Sequence, residues 1–342
     1  METNSKHNRT QNRLIGGILI IMGIVLVSTL ILGPTQITTW FTPSPKDVSV
    51  SPTVPELWKP PTLSQLPAGE AGKLISYGRE LIVNTSAYLG PKGSVQSISN
   101  GMNCQNCHLD AGTKPFGNNY SAVASTYPIY RARSGVQETI EKRVNDCFER
   151  SLNGKVLNEE SHEMKAIVAY VKWLGNDVPR GTSPQGVGLV KIPYLDRQAN
   201  SKNGEEVYEQ KCAVCHGKNG EGIMLADSTA YQYPPVWGNN SYNVGAGLYR
   251  LSRFAGYVKA NMPFGATYNR PQITDEEAWD VAAYVNSLPR PQKDLHSDWP
   301  DISKKPIDHP FGPYTDDFDE TQHKLGPYKP IENKRKEIQG NN

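Results

Sequence analysis

Apolar residues recur at helical spacing in four segments of this chain, namely 71–83, 140–148, 161–174 and 274–288, and a fifth, more polar segment, 203–210, is also helix-like. Within the four apolar segments they stand three or four positions apart, which is typical of amphipathic helices that pack one face on a core. Proline and glycine interrupt this pattern over 179–193, and no helical period follows Pro289. The pattern therefore predicts two groups of helices, a connector between them and an irregular C-terminal tail.

An internal repeat relates the two groups of helices. Each group opens with a helical segment and closes with an amphipathic helix, and Ala169-Tyr170-Val171 in the first closing helix matches Ala283-Tyr284-Val285 in the second. The two triplets are offset by 114 residues. Repetition at this spacing indicates two copies of one small helical lobe.

The N-terminal region carries a different apolar pattern. Leu14 to Leu32 form an unbroken run without a charged residue, preceded by Lys6, Arg9 and Arg13. Such a run is long enough to span a bilayer, and its basic flank places the N-terminus in the cytoplasm. Because no clear A-x-A cleavage site follows, a retained anchor is favoured over a cleaved signal peptide. We therefore expect a single-pass protein of the cell membrane, with its lobes on the extracytoplasmic (periplasmic) side.

Each lobe contains the pattern Cys-x-x-Cys-His, which is the attachment motif for c-type haem. One Cys-x-x-Cys pair also suits a redox site or half of a zinc site, but a histidine directly after both copies favours haem. The motifs predict two covalently attached c-type haems, with thioether bonds from the cysteines and iron ligation by the histidines. The residues concerned are Cys104, Cys107 and His108 in the first lobe and Cys212, Cys215 and His216 in the second.

Small helical haem lobes of this kind resemble class I cytochromes c, so the predicted fold class is all-α, with two such lobes in tandem. The predicted organisation is a cytoplasmic N-terminus (1–13), a transmembrane signal-anchor (14–33), a Pro-rich linker (34–61), lobe 1 with the catalytic haem (62–180), a connector (181–200), lobe 2 with the electron-transfer haem (201–293) and the C-terminal tail (294–342).

The net charge is only +2, and the basic residues are scattered, so no nucleic-acid partner is expected.

The second haem needs a further iron ligand, which in a class I lobe stands just before the last helix. Met262 stands there, and a thioether is a soft ligand that raises the haem potential. Met224 is an alternative, but it follows His216 by only nine residues, which is a short reach around a haem. Met262 is the predicted distal ligand.

Cys147 is the one cysteine outside the two motifs. The repeat offset carries Met262 back to position 148, so Cys147 stands where the distal ligand of the first haem belongs. As an alternative, Cys147 and its apolar neighbours at helical spacing could simply be core, since buried free cysteine is common. Met164 is a rival ligand, although it shares a helix face with core residues. A thiolate ligand would lower the potential of the first haem, so electrons would run from there to the second haem.

The segments Tyr130-Arg131-Ala132-Arg133-Ser134-Gly135 and 141–154 (EKRVNDCFERSLNG) resemble the signature of the dihaem thiosulfate dehydrogenases, which also act as tetrathionate reductases. The resemblance covers 63–289, and 322–327 (QHKLGP) in the tail is similar too. It implies oxidation of two thiosulfates to tetrathionate, or the reverse reduction. The electrons would pass to an external acceptor or come from a donor, either a cytochrome c or the membrane respiratory chain.

The same resemblance implies roles for individual residues. Cys147 would carry a covalent sulfur adduct, Arg133 and Arg143 would bind the sulfonate groups, and Ser151 would donate a hydrogen bond. Some family members have a lysine directly before the distal methionine, whereas this chain has Asn261, with Lys259 as the nearest lysine. Exchange of the distal ligand at the second haem is therefore not expected.

Two other functions remain open on the sequence alone. The chain could be a non-catalytic, membrane-anchored dihaem electron carrier in which Cys147 is packing. It could also be a sulfur-carrier subunit that holds a persulfide on Cys147 and needs a partner. The family resemblance favours the enzyme.

Overall fold

The computed structural model describes residues 56–227 and 229–340. The predicted anchor at 14–33 and almost all of the linker lie outside these residues. Among the helices that the structure does describe, none is long and apolar enough to cross a bilayer.

The first lobe is built from six helices and one hairpin. The elements are α1 (Glu70–Val83), α2 (Thr85–Leu89), α3 (Leu109–Gly112), α4 (Val123–Thr126), β1 (Ile129–Arg131), β2 (Val136–Glu138), α5 (Ile140–Arg150) and α6 (His162–Leu174). Ser161 caps α6 by accepting a hydrogen bond from the Met164 amide, and Thr139 caps α5 in the same way. The predicted helices at 71–83, 140–148 and 161–174 are confirmed.

The second lobe repeats this plan with fewer parts. Its elements are α7 (Ser201–Lys211), α8 (Ala213–His216), β3 (Ile223–Met224), β4 (Tyr231–Tyr233), α9 (Leu251–Asn261) and α10 (Asp275–Ser287). Thr274 and Glu277 form a reciprocal capping box at the start of α10. The predicted helices at 203–210 and 274–288 are confirmed.

The same helix crossing forms the centre of both lobes. The opening helix packs against the closing helix, α1 against α6 and α7 against α10. A methyl group on Gly78 would lie 1.9 Å from the Ala166 carbonyl oxygen, and one on Gly204 would lie 1.9 Å from the Asp280 carbonyl oxygen. Only glycine allows such close approach, so each crossing depends on a glycine in its opening helix.

Two short antiparallel hairpins depart from the predicted all-α class. Strands β1 and β2 pair with Tyr130 opposite Gln137, and β3 pairs with β4. The first hairpin holds Arg131 and Arg133 in an ordered turn. The protein is mostly helical, as predicted, and the two short hairpins are a detail that the prediction did not contain.

The C-terminal tail is not irregular, as the sequence pattern predicts, but contains helices α11 (Glu320–Leu325) and α12 (Tyr328–Gly340). Pro330 lies in the first turn of α12, where a missing amide hydrogen costs little. Tyr328 and Ile331 are buried, and Tyr328 packs against Tyr194 and Trp279 with ring centroids 5.4 and 5.7 Å away. The helix forms because these few apolar residues are packed on the second lobe.

The tail also contacts both lobes through charged pairs. Asp298 accepts two hydrogen bonds from Arg150 of the first lobe, at 2.9 and 2.7 Å. Asp308 is buried and pairs with Arg250, directly before α9 of the second lobe. The tail therefore forms ion pairs with Arg150 of the first lobe and with Arg250 at the start of α9 in the second lobe.

Candidate functional site

The first Cys-x-x-Cys-His motif lies on a 3₁₀ turn, Cys104–Asn106, and the residues after it. The Cys104 amide donates to Thr85 Oγ1 at 2.9 Å, which ties the motif to α2. His108 Nδ1 lies 2.6 Å from the Asn118 carbonyl oxygen. Because a carbonyl can only accept, Nδ1 carries the hydrogen and Nε2 keeps its lone pair for a metal. The Tyr120 ring stacks on the imidazole at 4.5 Å and fixes its plane.

The second motif repeats this arrangement. His216 ends the short helix α8, and its Nδ1 donates to the Pro234 carbonyl oxygen at 2.8 Å. Again Nε2 is left as the metal-binding nitrogen. Burial lowers the pKa of both His108 and His216, that of His108 to about 4, so both imidazoles are neutral, as iron ligands must be.

A cavity of about 170 Å³ adjoins the first motif. Cys104, Cys107 and His108 line it, and so do three side chains of one helix face. These are Arg143, Cys147 and Ser151, which follow each other at intervals of four residues along α5 and its C-cap. The structure thus brings the predicted thiol, one predicted arginine and the predicted serine to the same cavity as the motif.

A cysteine sulfur and an arginine guanidinium lie together in this first cavity. The Cys147 thiolate raises the pKa of the Arg143 guanidinium, and this effect is larger than the opposing effect of burial. Burial raises the pKa of the Cys104 and Cys107 thiols to about 12. Arg143 thus lies beside the Cys147 sulfur as a complementary charge, whereas burial keeps the two motif thiols neutral.

Arg133 is the one predicted site residue of the first lobe that does not line this cavity. It lies in the turn between β1 and β2, where its Nη1 donates to the Gly245 carbonyl oxygen at 3.4 Å. Burial, together with the positive charges of Arg150 and Arg143, lowers its pKa to about 10. Arg133 thus belongs to the electrostatic surroundings of Arg143 without reaching the cavity wall.

Met164, the rival of Cys147 as ligand, is fully buried in the core and is not among the residues that line the cavity.

A larger cavity, about 530 Å³, adjoins the second motif. Cys212, Cys215, His216 and Met262 all line it. The volume is within the roughly 300–1,000 Å³ typical of ligand sites. Met224 does not line it and is 39% exposed on β3. The arrangement agrees with Met262 rather than Met224 as the partner of His216.

The two residues considered for ligand exchange make other contacts. Lys259 Nζ donates to the Ile273 carbonyl oxygen at 2.7 Å and pairs with Asp275 at 2.7 Å. Asn261 Nδ2 donates to the Phe116 carbonyl oxygen of the first lobe at 3.1 Å. Lys259 is therefore engaged away from the cavity of the second motif, whereas Asn261 lines that cavity and binds the first lobe through its Nδ2.

A buried arginine beside the second cavity tests whether these residues fit a haem. Arg290 is 6% exposed, and its guanidinium stacks on the Tyr242 ring at 4.3 Å. Its Nη2 donates to Val285, but its Nε and Nη1 find no hydrogen-bond partner among the described residues. Tyr242 and Val285 both line the cavity. A buried cation without a counter-charge is costly, and an anionic substituent such as a haem propionate would satisfy it. The site fits the group.

The two cavities adjoin one another. Asn103 and Cys107 line both, and other residues of the first motif region, including Gln105 and Leu109, line the second cavity. The first lobe therefore supplies part of the wall around the second haem position. Sequence reasoning treats the lobes as separate and could not find this shared wall.

Sequence reasoning also missed Tyr120, Tyr242 and Arg290. Aromatic residues near a motif carry no signal of their own, and Arg290 stands in a Pro-Arg-Pro sequence that reads as a chain connection. Only the fold shows that these three side chains surround the two cavities.

Known proteins resemble this chain in both lobes. A family profile for cytochrome c matches residues 201–289, and one for the cytochrome c domain of SoxA/TsdA matches residues 94–179. A thiosulfate dehydrogenase from Psychrobacter arcticus is 40% identical over 243 residues, covering 71% of each chain. One from Allochromatium vinosum is 38% identical over 235 residues, covering 68% of this chain and 83% of that protein.

A solved structure agrees with these matches. The fold resembles that of a thiosulfate dehydrogenase (TsdBA) from Marichromatium purpuratum with a TM-score of 0.64 at 32% identity. The match covers 69% of this chain and 50% of that one.

Proposed function

The chain belongs to the thiosulfate dehydrogenase family, and from this premise we propose that it is a dihaem cytochrome c that joins two thiosulfate ions into tetrathionate. The reverse reduction uses the same groups. One observation carries the proposal: Arg143, Cys147 and Ser151 share one helix face and line the same cavity as the first haem-attachment motif.

We assign the haem-binding residues from the motifs and the cavities they line. Cys104 and Cys107 would attach the first haem, and His108 and Cys147 would hold its iron. Cys212 and Cys215 would attach the second, and His216 and Met262 would hold its iron. When bound, each haem supplies one-electron redox chemistry, so the pair matches the two electrons that the reaction releases.

The protein's own residues would act around Cys147. Arg143 binds the sulfonate of the first thiosulfate, with Ser151 one turn further along as a hydrogen-bond donor. A bond forms between the Cys147 sulfur and the outer sulfur of that thiosulfate, and two electrons leave. The outer sulfur of a second thiosulfate then attacks the bound outer sulfur. The new sulfur–sulfur bond releases tetrathionate, and Cys147 leaves as the thiolate.

Arg133 has a supporting role in this scheme. Its charge is close enough to act on Arg143, and its side chain is held by the Gly245 carbonyl. We propose that it adds to the positive potential that attracts thiosulfate, without touching the ion that lies beside Cys147.

The remaining parts of the chain would place this chemistry at a membrane. We propose that 14–33 is a retained signal-anchor, that 34–61 is a tether and that the lobes lie on the periplasmic side. The electrons would pass from the second haem to a cytochrome c or to the membrane respiratory chain. The support is the apolar run with its basic flank. Export also agrees with covalent haem, which is attached to proteins outside the cytoplasm.

The test uses the purified holoprotein and follows the haem absorption bands. Thiosulfate added to the oxidised protein should produce the bands of reduced haem, and tetrathionate added to the reduced protein should remove them. A protein that responds to neither ion, yet exchanges electrons with a cytochrome c, would instead be a non-catalytic carrier.

A further inference from the structure

Helix α9 of the second lobe turns one face toward the first lobe. Tyr257 OH donates to the Asn106 carbonyl oxygen at 2.7 Å, and Asn261 Nδ2 donates to the Phe116 carbonyl oxygen at 3.1 Å. Residues four positions apart lie on the same helix face. Arg253 therefore occupies the next turn of the face that contacts the first lobe.

A second contact between the lobes lies just before α9. Arg133 Nη1 donates to the Gly245 carbonyl oxygen, and the Asn243 amide donates to the Arg150 carbonyl oxygen at 3.0 Å. Asn106, at the other end, is part of the first haem-attachment motif. Arg253 thus lies along the seam between the lobes, between the arginine hairpin and that motif.

Most arginines near this seam already have a carboxylate. Arg131 pairs with Glu138, Arg150 with Asp298 and Arg250 with Asp308. In contrast, Arg133, Arg143 and Arg253 have no carboxylate within ion-pair distance in the described part of the chain. Three guanidinium groups of this region therefore lack a carboxylate in direct ion-pair contact.

The electrostatic surroundings of Arg253 agree with its place on this face of α9. Arg253 is exposed to solvent, yet the surrounding protein lowers its pKa. The positive charges of Arg250, Arg143 and Arg131 lower it further. Arg253 is therefore open to a dissolved ion on one side and faces the arginines of the first lobe on the other.

We infer that Arg253 binds the sulfonate group of the second thiosulfate, the one that attacks the sulfur held on Cys147. This inference rests on the proposed function and adds a residue of the second lobe to its substrate site. The reaction brings two dianions together, so it needs more positive charge than one bound thiosulfate requires. A guanidinium suits a sulfonate because it offers paired, planar hydrogen-bond donors.

The test compares steady-state kinetics of the full-length holoprotein with those of Arg253→Gln. Loss of one charge-assisted contact to the second ion should raise the KM for thiosulfate about tenfold, with kcat within about twofold of wild type. Arg253→Lys keeps the charge but loses the paired donors, so its KM should rise only about threefold. The midpoint potentials of both haems should stay unchanged.

Lys202→Gln is the matched control, because Lys202 is an exposed residue of α7 in the same lobe. It removes one positive charge and should leave the KM unchanged. An equal rise in KM in the control would show that only overall charge matters, and the inference would be wrong.

Two other results for Arg253→Gln would also overturn the inference. One is an unchanged KM for thiosulfate. The other is a shifted midpoint potential of either haem, which would mean that Arg253 serves a haem. If Arg253→Gln fails to retain haem, Arg253→Lys decides, since an unchanged KM there contradicts the inference. A wild-type protein that does not turn over thiosulfate would instead refute the proposed function itself.

Discussion

Three side chains spaced four residues apart along α5 and its C-cap carry the chemistry proposed for the first site. Arg143 and Ser151 flank Cys147 on the same helix face, and all three reach one cavity. A thiolate next to a guanidinium is stabilised as the anion, which is the state needed both to ligate iron and to form a sulfur–sulfur bond. The chemistry therefore depends on the helical register of this short segment.

The two first-lobe arginines should differ in their contribution to binding. Arg143→Gln removes a guanidinium from the cavity wall, and we expect at least a tenfold rise in the KM for thiosulfate. Arg133→Gln removes a charge outside the wall, so its KM should rise only about twofold to threefold. Steady-state kinetics at constant ionic strength measure both. Equal rises in KM for the two substitutions would contradict the placement of Arg143 in the cavity wall and of Arg133 outside it.

The motif residues could be predicted from the sequence because their spacing is a chemical requirement. Two cysteines separated by two residues, with a histidine directly after them, must serve one haem. The position before the last helix then points to Met262, and the repeat points to Cys147. Arg253 could not be predicted in this way. Its proposed role depends on the packing of α9 across the lobe boundary, and no local sequence pattern records that packing.

The tail is the element that the sequence describes least well. Its apolar residues are too few to show a helical period, and Pro330 suggests a break rather than the first turn of a helix. Its stability comes from contacts with residues far away in the chain, including the stack of Phe311 on Tyr249 at 5.8 Å. Tertiary packing, rather than local propensity, decides its structure.

The ion pair between Asp308 and Arg250 should make the tail's attachment sensitive to acid. Burial opposes ionisation of Asp308, but Arg250 and Ser252 more than offset it, and the pKa is lowered from its ordinary 3.8. A carboxylate with a lowered pKa adds stability above its ordinary pKa and loses it as the pH falls through the folded value.

Asp308→Asn should therefore destabilise the holoprotein by about 3 kcal/mol at pH 7, since it leaves a largely buried arginine unpaired. Thermal unfolding should be measured from pH 7 to pH 3. The difference in melting temperature between wild type and variant, which is the gap to follow, should narrow below about pH 4. The exposed residue Asp317 provides the control, and Asp317→Asn should unfold like wild type at every pH. A gap that stays constant down to pH 3 would contradict this role of the ion pair.

The two lobes act as one unit in the whole molecule. The first lobe lines part of the second cavity, helix α9 of the second lobe donates hydrogen bonds to the first lobe, and the tail contacts both. Electrons released beside Cys147 would therefore have a short path through shared protein to the second haem. A prediction that treats each lobe as an independent cytochrome recovers the cofactors but not this connection.

The proposed anchor should be separable from catalysis. A version whose first 55 residues are replaced by a cleavable export signal should keep the KM and kcat of the full-length protein. It should appear in the soluble fraction after cell lysis, whereas the full-length protein should stay with the membranes. Soluble behaviour of both proteins would refute the anchor without affecting the enzyme assignment.

Coordination of the first haem iron by Cys147 is the centre of this account. Electron paramagnetic resonance of the oxidised holoprotein, recorded for wild type and for Cys147→Ser, tests it most directly. We predict one low-spin haem with a thiolate signature and one with histidine and methionine ligands. Only the thiolate signal should be lost in the variant, together with turnover of thiosulfate, while both haems remain attached. A wild-type spectrum without thiolate coordination, or a Cys147→Ser protein with near-normal activity, would contradict the account.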